Sequence, residues 1–435
     1  MKISKPIKIT KSIKDSSFAV YGLGLSGNSV FKFLKNKRIK KIYTWDDKKN
    51  KNNKNKFNSF KKILDIVDYI IVSPGINIQK TKLKLKLSKN RKKIISDLDL
   101  FYMQKKDIKS IVITGTNGKS TACKLTQHIL KANGLDAQLG GNIGKPILDL
   151  KIKKNSVVII EASSFQLANT KFIKPTLAAI LNISIDHLDW HNTVSNYKNS
   201  KFKIFSKQNN KDIALLTDKK HIKFFKKKKY LSKLKIIKKN FLSNTHKKKI
   251  TNDYLISSPN LENLAFAHQI SKIFKVKTKI FFKAVNSFKG LPHRHEIFLK
   301  KNKIIFINDS KATSFDSTKY ALKNNKNIFW ILGGIPKIRD RFNLQGISSN
   351  IIKSFIIGKT TTYFKNQVMK KIKYKISFNL KKAIEEVFKE LLLVKKNKAT
   401  VLFSPASASY DQFKNFADRG NQFKKITKDY VKKFF

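Results

Sequence analysis

The chain has 435 residues and carries 94 lysine and arginine residues against 27 aspartate and glutamate residues, a formal net charge of +67 at pH 7. Its hydrophobic fraction of 41% excludes wholesale disorder and, over this length, predicts roughly two to four domains. A charge of this size is typical of proteins that bind nucleic acid or anionic membranes.

The kind of positive charge argues against that interpretation. Only six of the cations are arginine, the residue that reads bases and clamps phosphates with a bidentate fork. Isoleucine, asparagine and phenylalanine are also abundant, and they share with lysine codons made of A and T. Codon drift in an AT-biased genome therefore explains the composition better than selected polyanion binding, which stays the alternative.

Cysteine usage and the amino-terminal residues bear on the cellular compartment. Cys123 is the single cysteine, which excludes an internal disulfide and a zinc site built from cysteines. Residues 1–10 lack the apolar core of a signal peptide, and no stretch reaches the ~18 consecutive apolar residues of a membrane span. We expect a monomeric protein of the cytoplasm without a transmembrane segment.

Short apolar runs rich in isoleucine and valine recur along the chain, each bounded by polar or turn-forming residues, and they predict buried parallel strands. The runs are Phe18–Tyr21, Ile66–Val72, Ile111–Thr114, Val157–Ile160, Leu177–Ile183, Ile304–Ile307, Ile328–Leu332, Phe355–Ile357 and Val401–Phe403. Segments with helical spacing, such as Thr121–Asn133 and Leu261–Phe274, lie between several of them. This alternation predicts an α/β fold with right-handed crossovers.

The first predicted strand leads into Gly22-Leu23-Gly24-Leu25-Ser26-Gly27, and Asp46-Asp47 follows a second strand. This spacing is typical of a Rossmann-like unit, in which glycines let the backbone approach a diphosphate and an acid reaches a hydroxyl or a base edge. A nicotinamide cofactor and a nucleotide sugar satisfy these residues equally well. A tight turn without a ligand is the structural alternative.

The run Ile111–Thr114 leads into Gly115-Thr116-Asn117-Gly118-Lys119-Ser120-Thr121, and a helix is predicted directly afterwards. Backbone N–H groups of such a loop bind phosphates, Lys119 reaches the β and γ oxygens, and the hydroxyl of Ser120 or Thr121 binds Mg²⁺. Ile113 stands where the general pattern has its first glycine. A chance Gly-Lys-Ser in a lysine-rich chain is the alternative, and the flanking strand and helix disfavour it.

Two further strand ends carry candidate metal ligands. Glu161 follows the run Val157–Ile160, and a carboxylate at the end of a neighbouring strand is well placed to bind phosphate-associated Mg²⁺. His187 follows the next strand, within Asp186-His187-Leu188-Asp189. A lone histidine is usually structural, but the context of this one favours a metal ligand.

Taken together, these motifs resemble a known family, the ATP-dependent Mur ligases of peptidoglycan synthesis. The resemblance covers essentially the whole chain and also rests on Ser73-Pro74-Gly75-Ile76, Gly140-Gly141-Asn142-Ile143-Gly144, Leu291-Pro292-His293-Arg294, Asn308-Asp309-Ser310-Lys311-Ala312-Thr313 and Gly333-Gly334. The string from Ser404 to Phe416, continuing through Arg419-Gly420-Asn421, looks most like the members that add D-glutamate. The resemblance implies a Rossmann-like UDP-sugar-binding domain over residues 1–98, a central P-loop ATPase-like domain with a parallel sheet over 99–291, and a Rossmann-like α/β domain that binds the amino acid over 292–435.

The resemblance also implies an enzyme that adds D-glutamate to UDP-N-acetylmuramoyl-L-alanine during cell-wall precursor synthesis. ATP would phosphorylate the substrate carboxylate, and the amine of D-glutamate would attack the resulting acyl phosphate. Lys119, Glu161, His187 and Lys201 form the implied catalytic set. Two Mg²⁺ sites are expected, with Ser120, Glu161, His187 and Lys201 as ligands, the lysine acting as a carbamate formed with CO₂.

The remaining implied contacts fall into three groups by ligand. The ATP-binding residues are Gly115, Thr116, Asn117, Gly118, Lys119, Ser120, Thr121, Asn260, Asn263, Arg294 and Asp309. The UDP-substrate residues are Gly24, Leu25, Ser26, Asp46, Asp47, Ser73 and Asn142. The D-glutamate residues are Lys311, Thr313, Lys337, Ser409 and Phe416.

Two other functions stay open at this point. Another Mur ligase with a different amino-acid specificity would share most of these residues. A basic nucleic-acid-binding ATPase would account for the phosphate loop and the charge together, and salt-sensitive DNA binding without ligase turnover would identify it.

Overall fold

The apolar runs of the sequence form three sheets, each accompanied by helices. The computed structural model describes residues 12–49, 53–105, 107–238, 241–256, 258–337, 340–393 and 398–435. The chain divides into two compact units, Met1–Phe288 and Lys289–Phe435, and the first unit contains two of the sheets. The predicted α/β class with three domains is therefore confirmed. Among the described residues, no helix is long and apolar enough to cross a membrane.

The first sheet is parallel, with strand order β2-β1-β3-β4. Its elements are β1 Phe18–Tyr21, α1 Leu25–Asn36, β2 Ile42–Trp45, α2 Lys54–Ile66, β3 Tyr69–Val72, α3 Lys84–Lys89, β4 Ile94–Ile95 and α4 Asp97–Gln104. β1 has the predicted bounds and is fully buried, because it lies between two strands and carries apolar side chains on both faces.

The central sheet is also parallel, with order β10-β9-β8-β5-β7-β6. Its elements are β5 Lys109–Thr114, α5 Lys119–Ala132, β6 Ala137–Gly141, β7 Val157–Glu161, α6 Ser164–Asn169, β8 Leu177–Ile180, α7 Leu188–His191, α8 Val194–Phe202, β9 Ile213–Leu216, α9 Lys219–Lys227, β10 Lys233–Ile236, α10 Asn244–Lys248, α11 Asp253–Ile256, α12 Ser258–Ile273 and α13 Thr278–Ser287. Ile111 and Ile113 of β5 pack with α5 and α12, whereas Val112 packs on the opposite face with α4 and α8.

Two strands are shorter than their sequence predictions. The strand predicted over Ile66–Val72 begins at Tyr69, because Ile66 is the exposed last residue of α2. The strand predicted over Leu177–Ile183 ends at Ile180. The chain then bends so that the carbonyl oxygen of Asn182 accepts a hydrogen bond of 2.9 Å from the backbone N–H of Thr116.

The sheet of the second unit is mixed, with order β11-β12-β16-β13-β14-β15. Its elements are β11 Glu296–Lys301, β12 Ile304–Asn308, α14 Phe315–Asn324, β13 Ile328–Gly333, β14 Ile351–Ile357, α15 Thr361–Val368, β15 Tyr374–Phe378, α16 Leu380–Leu393, β16 Ala399–Phe403 and α17 Phe416–Phe434. β11 pairs antiparallel with β12, and the other pairs are parallel. Asn302 and Lys303 both have positive φ, +45° and +63°, which suits the two-residue hairpin turn between β11 and β12.

Candidate active site

The phosphate loop, residues 115–118, joins β5 to the amino terminus of α5. Gly118 has φ +81°, and a Cβ atom at this position would lie 2.2 Å from Oδ1 of Asn263 on α12. Glycine is therefore required here both by the left-handed backbone and by the close approach of another side chain. A loop of this type before a helix offers backbone N–H groups to a phosphate.

Lys119 is the first residue of α5 and lies against the loop. Its Nζ donates hydrogen bonds to the carbonyl oxygens of Gly115 at 2.8 Å and Thr116 at 2.7 Å. Ser120 and Thr121 follow in the first helical turn and are buried. The predicted phosphate-binding lysine and hydroxyl residues therefore lie together at one helix terminus.

Two residues to which the sequence assigned no role hold the loop in place. Oδ1 of Asn182 accepts a hydrogen bond of 2.9 Å from the backbone N–H of Asn117, and the Tyr197 hydroxyl lies 2.9 Å from Oγ1 of Thr116. Asn182 follows β8 and Tyr197 lies on α8, so neighbouring elements of the central domain fix the loop backbone. Asn182 lies five residues before His187, and this closeness to a predicted metal ligand is the only signal for it in the sequence.

Glu161 ends β7, and its register opposite Ile113 of β5 places it beside the phosphate loop. The side chain is buried, and its Oε1 accepts a hydrogen bond of 2.7 Å from Nδ2 of Asn142. Its Oε2 is also buried and has no hydrogen-bond partner within the described part of the chain. Because leaving a buried carboxylate oxygen unpaired is costly, this residue fits a ligand of a metal cation.

His187 precedes α7 in a left-handed conformation with φ +52°. Its ring lies against Phe165, with centroids 4.8 Å apart, and its Nε2 is 3.5 Å from Oδ2 of Asp186. Non-glycine residues in this conformation are strained and concentrate at functional sites. The geometry and partial exposure of His187 therefore fit the predicted ligand role.

The composition of this group of residues suits Mg²⁺ better than a transition metal. Across the described ranges, no three His, Cys, Asp or Glu side chains cluster as a metal site. Glu161, His187 and the hydroxyl of Ser120, the predicted ligands, would supply only a small set of protein donors. Mg²⁺ keeps several waters and binds substrate phosphates, so it needs only a few protein donors.

Lys201 lies on α8 and is almost completely buried, with 1% of its surface exposed. Its Nζ donates a hydrogen bond of 2.8 Å to the carbonyl oxygen of Gly115 and lies 4.7 Å from the ring centroid of Tyr197. Burial, reinforced by the positive charge of Lys119, lowers the pKa of Lys201 well below its usual value. The structure thus places a lysine with a weakened preference for charge directly beside the phosphate loop.

A cavity of about 600 Å³ lies at the carboxyl ends of β1, β2 and β3, and we call it the glycine-loop cavity. Its lining also includes Gly141 at the end of β6 in the central sheet, Gly144 shortly after that strand, and Gln166 of α6. All seven residues predicted to bind the UDP-linked substrate line it, namely Gly24, Leu25, Ser26, Asp46, Asp47, Ser73 and Asn142. Its volume lies in the range typical of small-ligand sites.

The two acids of this cavity also support the loop itself. Asp46 accepts a hydrogen bond of 2.6 Å from the backbone N–H of Leu23. Asp47 accepts hydrogen bonds from Nε1 of Trp45 at 2.8 Å and from the Tyr21 hydroxyl at 2.5 Å. Burial is the largest cause that raises the pKa of Tyr21, so this hydroxyl remains a donor to Asp47 at neutral pH.

The predicted adenine residues lie near the start of α12. Nδ2 of Asn260 donates a hydrogen bond of 2.9 Å to the carbonyl oxygen of Tyr254, and Oδ1 of Asn260 accepts one of 3.1 Å from Asn263. Both asparagine side chains are buried. Through its contact with Gly118, Asn263 brings this pair next to the phosphate loop.

In the second unit, Asp309 follows β12 and is buried. Its carboxylate accepts hydrogen bonds from the backbone N–H of His295 at 3.0 Å and from the Ser404 hydroxyl at 2.7 Å. Burial raises the pKa of Asp309 to about 7, although both hydrogen bonds and the positive charge of Arg294 oppose this shift. The predicted ribose contact is therefore an acid that titrates near neutrality.

The predicted D-glutamate residues follow the carboxyl ends of adjacent parallel strands. Lys311 and Thr313 come after β12, Lys337 after β13 and Ser409 after β16. Phe416 begins α17, and the Lys311 Nζ lies 4.9 Å from the centroid of its ring. The carboxyl edge of a parallel sheet is the usual place for a ligand in α/β folds.

Arg419 belongs to the carboxyl-terminal string but has no role predicted from the sequence, and the structure gives it one. Its guanidinium is fully buried and donates to the Ser310 hydroxyl and to the carbonyl oxygens of Ser310 and Ser407, at 2.8–3.1 Å. Burial lowers its pKa to about 10, so the group stays charged at neutral pH. Arg419 therefore ties the loop that carries Lys311 to the loop that carries Ser409.

The phosphate loop follows the carboxyl end of β5, an interior strand of a parallel sheet, and a buried acid and a buried lysine lie beside it. This arrangement defines a P-loop nucleotide-binding protein. The family model of the Mur ligase middle domain matches residues 113–283. The crystal structure of MurF ligase from Thermotoga maritima in complex with ADP has the same fold. It matches with a TM-score of 0.59 at 14% identity, over 97% of this chain and 99% of that one.

Two curated relatives show which family of P-loop proteins this chain belongs to. The UDP-N-acetylmuramoylalanine–D-glutamate ligase of Rickettsia bellii is 35% identical, over 94% of this chain and 97% of that protein. The ligase of the same name from Aquifex aeolicus is 32% identical, over 94% of this chain and 98% of that protein. The chain therefore belongs to the Mur ligase family.

Proposed function

We propose that this protein forms the amide bond between UDP-N-acetylmuramoyl-L-alanine and D-glutamate, with hydrolysis of ATP to ADP and phosphate, in peptidoglycan precursor synthesis. One observation carries the proposal: Asn142, in the wall of the glycine-loop cavity, donates a hydrogen bond to Glu161 beside the phosphate loop. A cavity suited to a nucleotide sugar thus adjoins the residues suited to ATP. The names of the relatives from Rickettsia bellii and Aquifex aeolicus support the choice of amino acid.

In the first step, a carboxylate oxygen of the alanyl end attacks the γ-phosphorus of ATP. The bond to the bridging oxygen breaks, ADP leaves, and the substrate carries an acyl phosphate in place of a poor electrophile. Lys119 and the loop N–H groups stabilise negative charge on the transferring group. Mg²⁺ bound by Ser120, Glu161 and His187 would supply further charge neutralisation at the phosphoryl oxygens.

In the second step, the neutral amine of D-glutamate attacks the carbonyl carbon of the acyl phosphate. Phosphate leaves with the electrons of the broken C–O bond, and the nitrogen releases a proton to solvent. We assign the carboxylates of D-glutamate to the positive charges of Lys311 and Lys337, with Thr313, Ser409 and Phe416 around the amino acid. Salt bridges to carboxylates fix orientation, and orientation lowers the barrier to attack.

The nucleoside of ATP is assigned by the same reasoning. Asn260 and Asn263 hold the adenine, Asp309 the ribose and Arg294 a phosphate. The contact of Asn263 with the phosphate loop supports its part of this assignment. The domain ranges 1–98, 99–291 and 292–435, the monomeric state and the cytoplasmic location belong to the same proposal.

Lys201 is proposed to act as a carbamate. Its buried amine, in the deprotonated form that burial favours, attacks the carbon of CO₂. An N–C bond forms and the nitrogen releases a proton, so a neutral amine becomes an anionic carbamate. This anion would balance the positive charge of Lys119 and offer oxygen ligands to a metal. Carbon-13 NMR in labelled bicarbonate should show a carbamate signal that is absent in Lys201→Met, and a wild-type spectrum without it would contradict this assignment.

The ligase activity is tested with the purified full chain, the UDP-linked substrate, ATP, Mg²⁺ and D-glutamate. Phosphate release and a product of the expected mass should require every component, and Glu161→Gln should lower the rate of both about 100-fold or more. Glu385→Gln, at a partly exposed acid on α16 that pairs with Lys382 and Lys389, is the matched control with full activity expected. Preference for another amino acid would indicate a different Mur ligase, and phosphate release stimulated by DNA but indifferent to D-glutamate would indicate a nucleic-acid-binding ATPase.

A further inference from the structure

A cavity of about 490 Å³ lies at the carboxyl ends of β8, β9 and β10 in the central domain, and we call it the α12 cavity. Its lining includes Leu181, Asn182, Thr217, Asp218, His221, Ile237, Lys238, Leu261, Glu262 and Ala265. With about 3.6 residues per turn, residues 261, 262 and 265 lie on a different side of α12 from Asn260 and Asn263. The α12 cavity is therefore separate from the predicted adenine residues, and no role proposed above uses it.

The walls of the α12 cavity combine apolar surface with two carboxylates and one exposed lysine, Lys238. Leu181, Ile237 and Ala265 are buried members of the core cluster beneath it. Asp218 and Glu262 supply two of the 27 acidic residues of a chain with a net charge of +67. Two acids beside an apolar floor favour a ligand with an apolar body and a cationic or N–H donor end.

A buried histidine adds a further polar group to this cavity. His221 is 8% exposed, and in the part of the chain that the structure describes its Nδ1 has no hydrogen-bond partner. Oδ1 of Asp218 lies 3.7 Å from this nitrogen. Burial lowers the pKa of His221, so the ring is neutral at neutral pH and does not repel a cation. A buried ring nitrogen without a partner is unusual in a folded protein and fits a site that a ligand completes.

The α12 cavity is connected to the phosphate loop by one side chain. Nδ2 of Asn182 donates a hydrogen bond of 3.1 Å to Oε2 of Glu262, while its Oδ1 accepts one of 2.9 Å from the backbone N–H of Asn117. A ligand that takes up Glu262 competes with the Asn182 amide. Asn182 then loses a bond that orients it against the loop.

We propose that the α12 cavity binds a small apolar amine, with its ammonium group on Glu262 near Asp218 and its apolar part on Leu181 and Ile237, and that its occupancy weakens nucleotide binding at the phosphate loop. This site goes beyond the ligase reaction, because none of the residues assigned to the UDP-linked substrate, ATP or D-glutamate lines it. The coupling is reciprocal, so a bound nucleotide weakens amine binding by the same factor.

The binding arm uses 2-phenylethylamine as the probe and 2-phenylethanol as its neutral analogue, each titrated into the full chain by calorimetry. The amine should bind about tenfold more tightly than the alcohol, and Glu262→Gln should remove that advantage. Glu385→Gln removes an equal charge in the second unit and should leave amine binding unchanged. Equal binding of the amine and the alcohol to the wild-type chain would overturn the proposal without any appeal to a variant.

The coupling arm measures the dissociation constant of a fluorescent ADP analogue as the amine concentration rises. In the wild-type chain the constant should increase about fivefold and then level off, and in Glu262→Gln it should not change. A constant that rises without limit would place the amine in the nucleotide site and overturn the assignment. A constant that never changes would overturn the coupling. Neither measurement needs ligase turnover, so these results do not depend on the proposed reaction.

Discussion

Replacing Asp309 by asparagine should stabilise the protein relative to the wild type by an amount that grows as the pH rises. The same substitution should weaken ATP binding. Asp309 is buried in the second unit, and burial raises its pKa to about 7 from an ordinary value of 3.8. Between these two pH values the folded state holds a proton that the unfolded state has lost. Raising the pH through this window therefore removes stability from the wild-type chain, whereas an amide has no such titration.

The magnitude follows from the size of the shift. A shift of roughly three pH units corresponds to about 4 kcal/mol, of which about 3 kcal/mol is lost between about pH 5 and about pH 8. The asparagine variant should fit the site, because its Oδ1 can still accept from the backbone N–H of His295. The Ser404 hydroxyl can accept from the new amide while donating to Oγ1 of Thr318, which lies 3.1 Å away.

Urea unfolding at several pH values, followed by tryptophan fluorescence, provides the assay. Trp330 reports on this unit, since its Nε1 donates a hydrogen bond of 2.8 Å to the Ser404 carbonyl oxygen. The unfolding free energy of Asp309→Asn minus that of the wild type should grow by about 3 kcal/mol from about pH 5 to about pH 8. Asp429→Asn, an exposed position on α17, should show no such growth. A difference that is constant with pH would refute the reasoning, and unchanged ATP affinity would refute the ribose assignment.

Three other substitutions test separate parts of the site. Gly118→Ala should lower the unfolding free energy by about 1–3 kcal/mol, because the backbone is left-handed and the new Cβ meets Asn263. The variant should also fail to bind a fluorescent ATP analogue. Normal binding would contradict the loop assignment. Glu161→Gln should lower kcat by about 100-fold or more in a phosphate-release assay. Calorimetry should show an affinity for the UDP-linked substrate within about twofold of the wild-type affinity. A selective loss of that affinity would contradict a role in charge stabilisation. Arg419→Lys should lower the unfolding free energy, measured by urea unfolding, by about 3–5 kcal/mol. Lysine cannot reproduce the three hydrogen bonds that the buried planar guanidinium donates. A loss below about 1 kcal/mol would show that these hydrogen bonds contribute little to stability.

The phosphate loop could be predicted because its signal is local. The predicted strand Ile111–Thr114 and helix Thr121–Asn133 correspond to β5 and α5, which begin and end within two residues of the predicted bounds. The strand, the glycine turn and the helix each have a recognisable sequence pattern that spans only a few residues. The left-handed Gly118 is an example, since the sequence already has glycine where the backbone requires it.

Partners that arrive from far along the chain could not be predicted in the same way. Asn182 and Tyr197 are 65 and 81 residues away from the loop residues that they contact. Asparagine is common in this chain, so composition gave Asn182 no weight. In the sequence, only the family resemblance distinguishes Lys201 from the other 87 of the 88 lysines, because its burial beside Gly115 is a property of the fold.

Edge strands were missed for a different reason. β10 has the sequence Lys-Leu-Lys-Ile and β15 the sequence Tyr-Lys-Ile-Ser-Phe, and each lies at one edge of its sheet. Such strands are largely solvated, so they lack the continuous apolar run of most central strands. The interior strand β9 has such a run, Ile213–Leu216, and is also missing from the predicted strands. Lysine at an edge also discourages pairing with other chains, which makes this pattern useful to the protein and difficult to recognise in its sequence.

The same contrast explains why the charge of +67 carries little information about function. Within the described residues, Lys201 and Arg419 are the buried cations, and the other lysines are at least partly exposed. An exposed lysine is solvated and screened, so drift toward lysine at such positions changes stability little. A buried cation needs defined partners, and Arg419 remains arginine in a chain with only six arginines because its three hydrogen bonds require a planar fork. The positive charges that carry information about structure and function are therefore the buried ones with defined partners, and not the many exposed lysines.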